Sequence, residues 1–187
     1  LQEARLEAPL VPPDASRFAA ALPSRPSAQA VQDAATVLLA AKRPLILAGR
    51  VSRDMGAWEA RVELAERLGA RVLTDRKAAA AFPTDHPLHA APPGTFMTPE
   101  VAEILRGSDA ILALDWIDLA GTMAGAWKDI PPVTVIHASL DQYSHNGWSM
   151  VHQGLPPVDI PLLAGPEAAV ADLLHAVRAA RPELPEL

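Results

Sequence analysis

The chain has 187 residues, half of them hydrophobic, with a formal charge of −6 and no cysteine. That length suits one domain with arms, and so large an apolar share argues against a disordered chain. Mixed charges without a Lys/Arg run give no footing to a nucleic-acid partner. The missing cysteines remove disulfides and thiolate metal sites, and no apolar stretch approaches the ~20 residues of a membrane span.

Residues 1–26 carry Pro9, Pro12, Pro13, Pro23 and Pro26 and read as an extended arm, because proline fixes φ and removes a donor. Ser27 then caps a predicted helix over 27–41, with Val31, Ala34, Ala35, Leu38 and Leu39 as one apolar stripe. Pro44 stops it. Leu45-Ile46-Leu47-Ala48-Gly49 reads as a strand buried on both faces. After a polar loop, a helix is predicted over 56–68, its stripe formed by Trp58, Val62, Ala65 and Leu68, with Gly69 at its C-terminal turn. Arg71-Val72-Leu73-Thr74 is a second strand.

Residues 76–94 are irregular and rich in proline. Thr98-Pro99-Glu100 gives an N-cap, a proline at the first helical position and an acid in the first turn, so a helix runs to Arg106 and Gly107. Ala110-Ile111-Leu112-Ala113-Leu114 is a third strand. Asp118 caps a short helix to about Trp127, weakened by Gly121 and Gly125. Strands are predicted over 133–137 and 158–163, the latter held to an edge by Pro161. A last helix covers 166–180, and 181–187 form a second linker. Strands alternating with helices require a mostly parallel sheet covered on both faces. The fold class is therefore a single doubly wound, Rossmann-like α/β domain over 27–180. Five strands are legible, and a sixth is expected in the poorly patterned parts.

In such sheets ligands bind beyond the carboxyl ends of the strands, near the switch in strand order. That rule selects Gly49-Arg50, Thr74-Asp75, Asp115-Trp116 and His137 to Asp141, and from these Gly49, Arg50, Thr74, Asp115 and Asp141 are the candidate nucleotide-cleft residues. Gly49 would let a backbone approach a phosphate, or would simply make a tight turn. Asp115 and Asp118 would bind a ribose or act as a base, or would serve as cap and loop acids. No G-x-G-x-x-G or Walker A sequence is present. His86 and His89 lack an acidic partner at helical spacing, which speaks against zinc. His137 reads as a core histidine bonded to backbone. Ser139, Ser144 and Ser149 lie near His137, His145 and His152 but have no nucleophile elbow around them. Trp116, Trp127 and Trp148 are more simply packing residues than stacking platforms.

The ordered segments resemble a known family. Ala41-Lys42-Arg43-Pro44-Leu45-Ile46-Leu47-Ala48-Gly49 is similar to the opening of the middle domain of thiamine-diphosphate enzymes such as acetolactate synthase and benzoylformate decarboxylase. Leu64-Ala65-Glu66-Arg67-Leu68-Gly69-Ala70-Arg71-Val72, Ala81-Phe82-Pro83-Thr84-Asp85-His86-Pro87-Leu88 and Leu105-Arg106-Gly107-Ser108-Asp109-Ala110-Ile111-Leu112-Ala113-Leu114 resemble later segments in the same order. Val135-Ile136-His137 through Asp141 completes the series.

The resemblance implies a parent enzyme of three domains. The other two would hold thiamine diphosphate and Mg²⁺, one through a Gly-Asp-Gly signature that this sequence lacks. It implies that the N- and C-terminal domains of the parent are the partners, in a cytoplasmic homo-oligomer. The opening at Leu1 and the two proline-rich ends fit a piece of such a chain. Middle domains of the family bind FAD or ADP, or bind nothing and act as spacers. Here Arg50-Val51-Ser52, Arg76-Lys77-Ala78-Ala79 and Asp115 stand where nucleotide-binding relatives favour glycine, and Ser139 replaces the first acid of the last motif. These added side chains argue against a flavin. The leading expectation is a non-catalytic central domain of a carboligase or decarboxylase acting on 2-keto acids or related substrates. The alternatives are a free-standing FAD-, ADP- or NAD-binding domain and a small independent α/β enzyme using Asp115, Asp118 or His145.

Overall fold

The computed structural model describes residues 9, 11, 14–18, 22–141 and 154–184. Among the described residues before the first helix there is a 3₁₀ turn, Ala15–Phe18, preceded by the Asp14 carboxylate accepting from the Ser16 amide at 2.9 Å. The elements that follow are α1 (Ala28–Ala40), β1 (Pro44–Ala48), α2 (Met55–Leu68), β2 (Arg71–Thr74), β3 (His89–Ala91), α3 (Pro99–Arg106), β4 (Ala110–Leu114), α4 (Leu119–Ala126), β5 (Thr134–Ala138), β6 (Ile160–Leu162) and α5 (Pro166–Ala180).

Among the described residues six strands form one parallel sheet in the order β3-β2-β1-β4-β5-β6. The chain builds leftwards from β1 to β2 and β3, then returns to lay β4 on the other side of β1, so the switch in order falls between β1 and β4. Both central strands are buried at all five positions. Alternate residues feed two cores. Ile46, Ala48, Leu112 and Leu114 pack with Leu38 of α1, Leu64 of α2 and Leu173 of α5. Leu45, Leu47, Ile111 and Ala113 pack with Leu105 of α3 and Met123 of α4 on the opposite face. Each fully buried leucine or isoleucine contributes roughly 2 kcal/mol. Leu45, Leu47, Ile111 and Leu112 are all 1% exposed or less. None of the described helices is long and apolar enough to cross a membrane.

The sixth strand is β3, three residues long, inside the proline-rich stretch. Pro44 opens β1 instead of merely ending α1, because the first residue of a strand tolerates a missing N–H. Pro161 lies in β6, at the sheet edge. The buried face of α2 also differs from the predicted stripe. It is Arg61, Leu64, Ala65, Arg67 and Leu68, while Trp58 and Val62 stay half-buried. The two buried arginines break the apolar pattern but not the packing, because carbonyls receive both guanidinium groups.

Two polar devices fix the layers. At the amino ends of the central strands the Asp109 carboxylate accepts from the amides of Lys42 and Arg43, each at 2.9 Å, tying the start of β4 to the start of β1. At the carboxyl ends of α1, α2 and α5, Arg181 donates to the carbonyls of Leu39 (2.7 Å) and Arg67 (3.2 Å), and Arg67 donates to those of Arg181 (2.6 Å) and Pro182 (3.0 Å). The bonds to Leu39 and Arg67 satisfy helix-end carbonyls, and those to Arg181 and Pro182 tie down the chain that leaves α5. Glu63 joins the same seam by accepting from Arg67 Nε at 2.7 Å and Arg178 Nε at 2.8 Å. Hydrogen bonding from Arg178, reinforced by Arg67, pulls the Glu63 carboxyl down to about 2 from the 4.5 of a free glutamate.

Stability from a depressed carboxylate is fully present above its unfolded value and is lost as pH falls toward its folded value, here from 4.5 toward about 2. Glu63→Gln is expected to cost about 1 kcal/mol at neutral pH. Thermal unfolding of both proteins across that window should show the deficit shrinking with acid. A deficit of constant size would contradict the seam.

Candidate functional site

The switch point places the ends of β1 and β4 side by side. Ala48 pairs with Leu114 and Leu114 with Ala138. The ladder runs on past the strands: the Gly49 amide donates to Leu114 O (2.9 Å), Arg50 to Asp115 O (3.0 Å) and Asp115 to Ala138 O (2.8 Å). The two chains are so close that a Cβ on Gly49 would lie 2.4 Å from Asp115 O and 2.6 Å from Trp116 Cα. The glycine therefore serves the crossing of the chain's own backbone, and the space over it is filled by Asp115 and Trp116.

Asp115 has φ of 49°, a left-handed conformation that an aspartate tolerates better than most residues. This turn directs its carboxylate across the mouth of the sheet. There it accepts from Arg50 Nη2 at 2.8 Å and from Ser139 Oγ at 2.6 Å. Ser139 Oγ in turn accepts from the Asp141 amide at 2.9 Å, and the Asp141 carboxylate takes a second, short bond from the same Arg50 nitrogen. Arg50, Asp115, Ser139 and Asp141 thus form a closed latch over β1, β4 and β5. Burial disfavours the charged form of Arg50, but its hydrogen bonds to Asp141 and Asp115 outweigh that and raise the guanidinium pKa. Under the latch sits His137, 5% exposed, whose imidazole burial pushes down to about 4 against the pull of Asp115, so it is neutral at neutral pH.

Three of the five sequence candidates, Arg50, Asp115 and Asp141, meet in this latch, and Gly49 underlies it. Thr74 does not join them. It ends β2 on the other side of β1, and its hydroxyl shares a 3.2 Å hydrogen bond with His89 of β3. Asp118 caps α4, its carboxylate accepting from the Gly121 amide at 3.0 Å. His86 Nε2 lies 3.3 Å from Glu66 Oε1. Trp116 donates to Thr122 at 2.8 Å and packs with Trp127 against the core. Ser144, His145, Asn146, Gly147, Trp148, Ser149 and His152 lie outside the described residues.

Two spaces flank the latch. On the α4 side, Arg50, Trp116, His137, Ser139 and Asp141 border a crevice of ≈ 20 Å³, room for about one water molecule. On the other side an open cleft of ≈ 510 Å³ is bordered by Arg50, Ser52, Arg53, Lys77, Ala79 and Glu167. Its walls are the β1–α2 and β2–β3 loops, and Arg61 braces both. That side chain is 4% exposed and donates from Nε to Ala81 O (3.1 Å) and from Nη2 to Ser52 O (2.9 Å). Glu167, at the start of α5, accepts from the Ser52 amide. Sequence reasoning missed Arg61. The signal was present: Arg61, Leu64, Ala65 and Leu68 stand at i, i+3, i+4 and i+7.

The family model described as thiamine pyrophosphate enzyme, central domain, matches residues 31–173. A sulfoacetaldehyde acetyltransferase of Roseovarius nubinhibens is 42% identical over 109 residues, which cover 57% of this chain and 17% of that protein. An acetolactate synthase of Mycobacterium avium is 28% identical over 159 residues, covering 83% of this chain and 24% of that protein. The chain therefore spans only about a quarter, or less, of these curated relatives. The crystal structure of benzoylformate decarboxylase from Polynucleobacter necessarius shares the fold, with a TM-score of 0.60 at 20% identity over 89% of this chain and 30% of that one.

The crossing at Gly49 yields a sharp contrast. Gly49→Ala must push backbone aside and should cost about 3 kcal/mol. Gly56→Ala, in the first turn of α2 with only Asp54 Oδ1 at 3.4 Å, should be neutral or gain up to about 1 kcal/mol. Denaturant midpoints measure both. An unchanged midpoint for Gly49→Ala would mean that the β1 and β4 ends are not in contact.

Proposed function

The chain belongs to the family of thiamine pyrophosphate enzyme central domains, and from that premise we propose that it is the non-catalytic middle domain of a thiamine-diphosphate-dependent carboligase or decarboxylase acting on 2-keto acids or related substrates. Its role is that of a structural spacer. The parent's cofactor pair, thiamine diphosphate with Mg²⁺, belongs to the other two domains, which are its partners in a homo-oligomeric cytoplasmic enzyme. The residues present here do not fit thiamine diphosphate: the chain has no Gly-Asp-Gly signature.

The observation that carries the spacer reading is the latched mouth. A dinucleotide in a doubly wound sheet needs backbone approach at the switch point. That place is taken by the Asp115–Trp116 backbone over Gly49 and by the Arg50, Asp115, Ser139 and Asp141 side chains. A vestigial FAD or ADP cleft is what remains beside it.

A second reading, a working adenine-nucleotide-binding domain, draws support from the ≈ 510 Å³ cleft with Arg50, Arg53 and Lys77 on its rim, a volume within the range of ligand sites. The reading as an independent enzyme has less behind it, since Asp118 is spent on capping α4.

Thermal unfolding of the chain with FAD, ADP, NAD, or thiamine diphosphate with Mg²⁺ decides among them. A ligand at ~100 times its dissociation constant stabilises by ~2.7 kcal/mol, a rise of several degrees in a domain of this size. The spacer reading predicts no rise with any of the four. A rise with FAD or ADP would establish the nucleotide reading, and a rise with thiamine diphosphate would overturn both.

A further inference from the structure

Arg50 borders both the small crevice and the ≈ 510 Å³ cleft, and its guanidinium is turned into the latch. Three cations, Arg50, Arg53 and Lys77, lie on the rim of the larger cleft with one carboxylate, Glu167. Left to themselves they would make a cationic hollow, open to solvent and suited to a small polyanion. Asp115 and Asp141 change that balance. They add two carboxylates beside Glu167, and Arg50, the cation that adjoins the switch point, is held by both of them.

We infer that Asp115 and Asp141 are built-in counter-anions that occupy Arg50 and so keep this cleft shut to anionic ligands. The inference rests on the spacer reading and supplies its electrostatic cause. It assigns the closure to two side chains and not to the shape of the cleft, which has room. The carboxylates hold an advantage over a free anion because the fold already places them. Asp115 is fixed by its left-handed turn and by Ser139, and the Asp141 backbone is fixed by the same hydroxyl, so neither loses much freedom on pairing. A dissolved anion must displace both and lose its own translational freedom as well.

The test is a gain of binding. In an Asp115→Asn/Asp141→Asn variant the shapes are kept, and asparagine accepts the left-handed turn at 115 readily. Inorganic pyrophosphate is the probe, at constant ionic strength, with the unfolding midpoint as the readout. The variant should bind pyrophosphate at least roughly tenfold more tightly than the unaltered chain. Adding Arg50→Gln should abolish the gain. A folded double variant that responds no more than the unaltered chain overturns the inference, as does a gain that survives Arg50→Gln. Should the double variant fail to fold, Asp141→Asn alone carries the test, since that side chain is 46% exposed and its loss leaves the core intact. The same gain, smaller, is then expected, and its absence is decisive. A response of the unaltered chain to FAD or ADP would instead count against the spacer reading, so the two failures are distinguishable.

Discussion

The contact on which the rest depends is the crossing of β1 and β4 at the switch point, where the Asp115–Trp116 backbone passes over Gly49 with no room for a side chain. A doubly wound sheet must reverse its order somewhere, and there the two flanking loops diverge to opposite faces. Here they touch before they part. The touch continues the parallel ladder by one bond beyond each strand and brings Arg50 beside Asp115. Asp109 performs the matching task at the other end of the same strand pair by holding the amides of Lys42 and Arg43. The most buried strands are thus fixed at both ends, once by a carboxylate on amides and once by a backbone crossing with an ion-pair latch.

From this constraint follows the character of the mouth. In the general plan of such domains the gap above the switch point is where phosphates meet glycine-rich backbone and a helix start. This chain has put side chains there, and they satisfy one another. The ion pairs are partly exposed, with side-chain exposures of 45% for Arg50 and 16% for Asp115, so their worth lies more in geometry than in bulk stabilisation. They bind three strand ends into one unit above a neutral buried histidine. The same domain is braced by Arg61 between two loops and stapled at the helix ends by Arg67 and Arg181.

Much of the scaffold was legible in the sequence because its signals are local. Ser27 and Thr98 cap their helices as the spacing predicts, each accepting from the amide three residues on, and Gly69 adopts the left-handed turn expected after α2. The five-residue apolar runs of β1 and β4 could hardly be anything but two-faced strands. Less was legible where tertiary contacts override pattern. Strand β3 is three residues among prolines, and it pairs with β2 only through a register shift. The inner face of α2 departs from the predicted stripe because Arg61 stands where an apolar residue would mark it. The latch was beyond local reading altogether: its ion pairs join residues 65 and 91 positions apart. The switch-point rule nonetheless selected Arg50, Asp115 and Asp141, since it names strand ends and not spacings. It also selected Thr74, which the strand order leaves on the far side of β1.

The central claim is that Arg50 and Asp115 are energetically coupled across the switch point. A double-mutant cycle of Arg50→Gln and Asp115→Asn, read by chemical denaturation of the chain, measures that coupling directly. The account predicts a coupling of about 1 kcal/mol, favourable to the native pair. Strict additivity, within ~0.3 kcal/mol, would contradict it and leave the mouth of the sheet unlatched.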